Sequence, residues 1–146
     1  MSERLPTLYL ARHGETAWTI SGQHTGLTDI PLTDRGEVEG RLLGSALRAA
    51  LAGNSGEHSF ARVWTSPLRR AARTCELAGF GDVAVVDRDL VEWDYGVYEG
   101  KTSAEIQRVR PGWVVFRDGC AEGESVSDVC ARADRVIERV RAASAE

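Results

Sequence analysis

The apolar positions along the chain change their period several times, and each change marks an element. Thr7 to Ala11 reads Thr-Leu-Tyr-Leu-Ala and stops at Arg12-His13-Gly14. That short β-rich run predicts a buried strand emptying into a loop. The glycine-punctuated stretch from there to about Thr33 predicts a long loop, of the kind that in compact domains is usually functional or disordered. From Asp34 to Leu51 the residues Val38, Leu42, Leu43, Ala46, Leu47 and Ala50 recur at helical spacing, with Thr33 placed to cap the first turn. Gly53 to Glu57 predicts a turn and Ala61 to Thr65 a second strand. Ser66 as cap and Pro67 at the first helical position predict a helix to about Leu77. Val83 to Val86 predicts a third strand, whereas the aromatic and acidic stretch Leu90 to Gly100 has no period that decides between helix and strand. Thr102 to Arg108 and Gly112 to Arg117 predict short helices split by Pro111. Val126, Val129, Ala133, Val136, Ile137 and Val140 form the stripe of a last helix capped by Ser125.

Strands alternating with helices imply an α/β domain with a mostly parallel sheet and ligands bound beyond the carboxyl ends of the strands. At 146 residues with 42% hydrophobic content the chain has the size of one domain, so a single domain over residues 1–146 is expected. The net charge of −4, with no run of five or six like charges, argues against a nucleic-acid footprint and a polybasic membrane patch. Any anion site must then be local. Met1 to Thr7 has no apolar core and no later run approaches a membrane span, so a soluble cytoplasmic protein is expected. Association into a homo-oligomer stays open. Cys75, Cys120 and Cys130 are odd in number with no CxxC or Cys/His ligand spacing; they read as reduced packing residues, without a disulfide framework or metal site.

The chemistry gathers at the end of the first strand. An imidazole attacks phosphorus only as the neutral ring with a free lone pair, and neighbouring guanidinium charge both disfavours its protonation and binds phosphate oxygens. Arg12 and His13 pair those groups. Gly14 would let backbone N–H groups approach an anion. An Arg-His-Gly tripeptide alone is more often structural, and its weight here comes from the motifs that accompany it along the chain.

Leu10-Ala11-Arg12-His13-Gly14-Glu15-Thr16, then Gly22-Gln23-His24-Thr25-Gly26 and Pro31-Leu32-Thr33, resembles the histidine phosphatases, the superfamily that includes phosphoglycerate mutase. Thr65 to Thr74, Glu92 to Gly100 and Gly123-Glu124-Ser125 resemble that family's second phosphate-binding segment, its acid loop and the start of its next helix, in the family's order. The resemblance implies a three-layer α/β/α fold. It also implies a metal-free and cofactor-free reaction on a small phosphorylated substrate. His13 matches the nucleophile, Arg12 and Arg70 the cations on the transferred phosphoryl group, and Glu92 the acid that protonates the leaving oxygen. That last role asks for a carboxyl raised toward neutrality by burial or nearby charge. Thr19, Thr25, Gly26 and Tyr95 match substrate-contacting positions, although Thr19 stands where many relatives have Asn. Of the four tryptophans, Trp93 is assigned a specificity role, because it lies inside the acid loop.

The family's second histidine, in a Ser-His-Gly or Ala-His-Gly turn after a late strand, has no counterpart in these residues. His24 belongs to the early loop and His58 to a polar stretch. The expectation is a domain truncated before that strand, with sheet edges and apolar surface uncovered and with weak activity. The segment between Glu92 and Gly123 is short and resembles the acid phosphatase and sedoheptulose-bisphosphatase branch. Phosphomonoester hydrolysis, with sugar phosphates as the leading substrate class, is thus expected ahead of a phosphoglycerate-type mutase. A phosphate-binding module without turnover is the reading from another class.

Overall fold

In the computed structural model, residues 7–53 and 60–143 are described. Two strands, β1 (Trp64–Thr65) and β2 (Val85–Val86), run parallel with Trp64 opposite Val85 and Thr65 opposite Val86. A parallel pair needs a crossover, and α3 (Arg69–Leu77) supplies it. In front of this unit stand α1 (Ala17–Ser21) and α2 (Asp34–Gly53). After it come 3₁₀ turns at Arg88–Leu90 and Gly96–Tyr98, then α4 (Ser103–Val109), α5 (Val115–Asp118) and α6 (Val126–Ala143). The architecture is a mixed α/β fold with a small parallel sheet and helices around it.

The sheet is smaller than the hydrophobic pattern predicts. Thr7 to Ala11 is not part of a strand, and Leu10 is 87% exposed. An apolar alternation becomes a strand only where a ladder partner takes its backbone groups. The predicted strand at Val83 starts late for a local reason: the N–H groups of Val83 and Ala84 both donate to Phe80 O, at 3.2 and 3.0 Å, which makes that stretch a turn. Ala61 to Thr65 likewise ladders only at its last two residues. An apolar trough of about 500 Å³ runs between the Thr7–His13 segment, α2, β1 and α6, lined by side chains that include Leu8, Leu10, Leu43, Leu47, Val136 and Val140.

The helices follow the sequence more closely. Thr33 caps α2 by accepting from Gly36 N, and Ser125 caps α6 by accepting from Asp128 N. Thr102 and Glu105 form a reciprocal capping box on α4. Helix α3 begins at Arg69, later than Ser66-Pro67 suggests. Leu68 is its cap residue without a side-chain bond, and the Arg69 N–H is instead held by Asp29 Oδ1 at 2.7 Å from the early loop. Helix α2 lies close on α3 because Gly44 has no side chain; a Cβ there would collide with the backbone of Ala78. The predicted turn over residues 53–57 falls, apart from Gly53, outside the described residues. So do His58, Met1 to Pro6 and the last three residues.

The buried apolar cluster is Trp93, Tyr98, Ile106, Trp113 and Cys120, with Tyr95, Val126 and Val129 packed against it. It sits under the acid loop rather than under the sheet. Of the cysteines read as packing residues, Cys120 is buried, Cys75 half-buried and Cys130 exposed, so the third does not pack; all three are free thiols. No helix among the described residues is long and apolar enough to cross a membrane.

Candidate functional site

A cavity of about 240 Å³ opens where the Arg12–His13 segment meets α1, the Gly22–Thr25 turn and the acid loop. Arg12, His13, Thr19, Thr25, Glu92 and Tyr95 line it, as do Trp18, Gln23 and His24. Six residues singled out from the sequence are therefore brought to one wall system. Gly26, Arg70 and Trp93 are not.

His13 is half-buried, and its Nδ1 lies 2.8 Å from the carbonyl oxygen of Gly14. A carbonyl only accepts, so Nδ1 carries the proton and Nε2 keeps its lone pair. Burial lowers the ring's pKa from its ordinary value. The Gly14 carbonyl opposes that shift, while Arg70 and Arg12 reinforce it and Glu92 opposes it. The result is a neutral imidazole with a free Nε2 at physiological pH.

Gly14 serves a purpose other than the one its place in the sequence suggests. Its N–H is taken by Thr74 Oγ1 at 3.0 Å, and that hydroxyl donates to Arg70 O at 2.7 Å. It is therefore committed to the protein and does not face an anion. What requires glycine is packing: a Cβ at Gly14 would run into the backbone of Gly36 on α2. Gly14→Ala is accordingly expected to destabilise the fold by about 1–3 kcal/mol, the usual range for overpacking against atoms that cannot yield. A denaturant titration in which the midpoint does not fall would show that α2 moves aside freely.

Arg70 is 1% exposed and binds the early loop. It donates from Nη1 to Thr28 O (3.0 Å) and from Nη2 to Thr25 O (3.2 Å) and Gly26 O (2.8 Å). Of a guanidinium's five N–H groups these bonds leave Nε–H and one Nη1–H. Arg70 lines the larger trough, which adjoins the smaller cavity through Arg12, His13 and Glu92. Arg12 is exposed and, among the described residues, makes no hydrogen bond or ion pair. One cation is thus built into the structure and the other is uncommitted.

The loop held by Arg70 has a second anchor that sequence reasoning missed. Glu99 accepts from Gly26 N through both oxygens, at 2.8 and 3.1 Å, and from Thr28 N at 3.2 Å. The Gly26 N–H is therefore spoken for. Glu99 lay inside the acid-loop motif, but nothing in one sequence distinguishes a carboxylate that binds backbone from one that meets substrate.

Glu92 is exposed, so the burial expected of an acid is absent, and its Oε1 accepts from the Trp93 N–H at 2.9 Å. The segment behind it is fixed by Glu124, which accepts from Asp94 N through Oε2 and from Trp93 Nε1 through its carbonyl, each at 2.9 Å. Arg132 holds Glu124 with Nε at 2.6 Å and Nη2 at 2.8 Å, and donates to Asp89 O and Val91 O just before Glu92. Trp93 is 5% exposed within the apolar cluster. The specificity role expected of it is corrected: the residue that follows Glu92 points into the core, and Trp18 is the indole at the cavity. The hydroxyl of Thr19 donates to Thr16 O and accepts from Thr16 N, both at 2.8 Å, as part of the box that caps α1. Its proton is not available to a ligand. Burial, reinforced by Glu92, pushes the Tyr95 phenol up to about 12, so it stays protonated.

These features define an α/β protein with a neutral histidine and an uncommitted arginine at one cavity. The chain belongs to the histidine phosphatase superfamily (branch 1), whose family model matches residues 8–146. It is 43% identical over 137 residues to an acid phosphatase of Mycobacterium tuberculosis, covering 94% of this chain and 64% of that protein. To sedoheptulose 1,7-bisphosphatase of Saccharomyces cerevisiae it is 36% identical over 159 residues, covering 97% and 58%. A solved structure of an open reading frame product from M. tuberculosis superimposes with a TM-score of 0.75 at 42% identity, over 86% of this chain and 62% of that one. Phosphoglycerate mutase from Thermus thermophilus gives 0.62 at 32% identity, over 87% and 68%. The chain thus spans less than two thirds of the length of the curated relatives named here.

Proposed function

We propose that the chain carries the nucleophile and phosphate-binding groups of a phosphomonoester hydrolase acting on small phosphorylated metabolites such as sugar phosphates. The observation that supports this most is the His13 ring, whose Nδ1–H is tied to Gly14 O and whose free Nε2 belongs to a cavity that Arg12 and Glu92 share. In the first step Nε2 forms a bond to phosphorus as the P–O bond to the leaving alcohol breaks, and the Glu92 carboxyl gives that oxygen its proton. Arg12 and the two remaining N–H groups of Arg70 meet the charge on the equatorial oxygens. In the second step water attacks phosphorus, the P–N bond breaks, and Glu92 takes the proton from the water. Identity of 43% to the acid phosphatase over 94% of this chain, against 34–38% to phosphoglycerate mutases over 67–89% of it, favours transfer to water over return to the substrate.

The test is to trap the intermediate. Brief incubation with glucose 6-[³²P]phosphate and an alkaline quench is expected to leave label that survives base, is lost in acid, and is missing from His13→Ala. Phosphate release by a chain that never holds label would remove the covalent step.

A further inference from the structure

His24 has no part in the reaction above, yet it stands on the same cavity as His13, Glu92 and Tyr95. Its backbone is fixed on both sides: its N–H donates to Lys101 O and its carbonyl accepts from Gly100 N, each at 2.9 Å. The ring is fixed too. It lies against Tyr95 with centroids 4.7 Å apart, meets Trp113 edge-on at 5.6 Å, and places Nε2 3.3 Å from Ser103 Oγ. Nδ1 makes no hydrogen bond among the described residues. Burial lowers the ring's pKa, against the pull of Glu99 and Glu92, so it is neutral at pH 7. The Ser103 hydroxyl can donate or accept, which leaves Nδ1 able to do either.

The rest of the wall narrows what such a group would meet. Thr19 gives its hydroxyl proton to Thr16 O and Thr25 gives its own to Gln23 O, while the Gln23 amide gives one of its two N–H groups to Gly100 O and its oxygen accepts from Ser21. His24 Nδ1, the Tyr95 hydroxyl, the Trp18 indole N–H and the second Gln23 N–H are left without a protein partner among the described residues. All four are neutral, and among the described residues Arg12 is the only cation lining this cavity. With Arg12 on the phosphate, a substrate carboxylate would find no counter-charge. A hydroxyl would find a donor or acceptor beside an aromatic face.

We infer that His24, backed by Tyr95, is a specificity-determining residue that binds a hydroxyl of the organic part of the substrate, selecting polyhydroxylated phosphomonoesters over phosphorylated carboxylic acids. This rests on the reading of the cavity as the phosphate site and adds the wall that reads the rest of the molecule.

Binding of three probes to the chain by calorimetry tests it: inorganic phosphate, ribose 5-phosphate and 3-phosphoglycerate. Ribose 5-phosphate is expected to bind about tenfold more tightly than the other two, the size of one well-made hydrogen bond. His24→Phe keeps the ring stack and loses the nitrogens; it should remove most of that preference and change phosphate affinity less than about twofold. His24→Asn, whose amide reaches the Nδ1 position, should restore much of it. Equal losses for phosphate and ribose 5-phosphate, no loss for either, or tighter binding of 3-phosphoglycerate would overturn the assignment. If His24→Phe does not fold, the ring ¹⁵N resonances of the parent chain decide: Nδ1 must shift with ribose 5-phosphate and not with phosphate, and a stationary Nδ1 overturns it. The two readings fail differently. Phosphate that does not bind the parent, or binds as well to Arg12→Gln, sinks the phosphate site itself, whereas intact phosphate binding with no His24 effect sinks only the specificity wall.

Discussion

His13→Ala is expected to lower phosphate release from an aryl phosphate by about three orders of magnitude or more, because in the proposed reaction His13 supplies the atom that bonds to phosphorus. His24 shares the cavity with a free Nδ1, but its ring is fixed against Tyr95 and Trp113 with Nε2 on Ser103, which keeps it in the wall. The parent's pH profile carries a second signature. Only the unprotonated ring is a nucleophile, and burial together with Arg70 and Arg12 lowers the His13 pKa below the ordinary 6.5. Activity should therefore hold as pH falls through 6.5 and decline only below it. The acid limb of kcat/KM, which reports the free enzyme, is the quantity to follow. A limb centred above 6.5, or a variant retaining a tenth of the parent rate, would remove His13 from the nucleophile's role.

The helices were legible in the sequence because their signals are local. Thr33 and Ser125 cap the helices expected after them, and Thr102, read as the first residue of a short helix, is the cap of α4. Helix α1 was missed because a five-residue helix is too short for periodicity, leaving Thr16 and Thr19 as its only cue. The sheet was over-read for a related reason: alternation in Thr7 to Ala11 records what each side chain prefers, whereas a ladder depends on a partner elsewhere in the chain. At the site, motif order brought Arg12, His13, Thr19, Thr25, Glu92 and Tyr95 to one cavity. It did not reveal which of them were already occupied. Thr19 caps a helix, the Gly26 N–H is held by Glu99, and Trp93 fills the core. Each of those facts is a long-range or reciprocal hydrogen bond or a packing choice, and none leaves a mark in residue type or spacing. His24 is the converse case, passed over as a loop residue although the fold turns it into the cavity wall.

Arg70→Ala is expected to cost stability as well as phosphate binding, by about 3–5 kcal/mol, as when one member of a buried hydrogen-bonded charge array is deleted. The guanidinium bridges α3 to the Thr25, Gly26 and Thr28 carbonyls, while Glu99 holds the N–H groups of Gly26 and Thr28 from the other side. Removing it strands three acceptors and leaves Glu92, Asp29 and Glu99, the carboxylates whose charge it feels, without that nearby cation. Arg70→Lys should recover less than half of the loss, since one ammonium cannot reproduce a planar fork spread over three carbonyls. The exposed neighbour gives the control: Arg69→Ala should change stability by about 0.5 kcal/mol or less. Urea titrations of the three variants against the parent make the comparison. If Arg70→Ala unfolds within about 1 kcal/mol of the parent, then Glu99 and the Asp29 bond to α3 hold the loop without it, and the fixed cation exists for the ligand rather than for the fold.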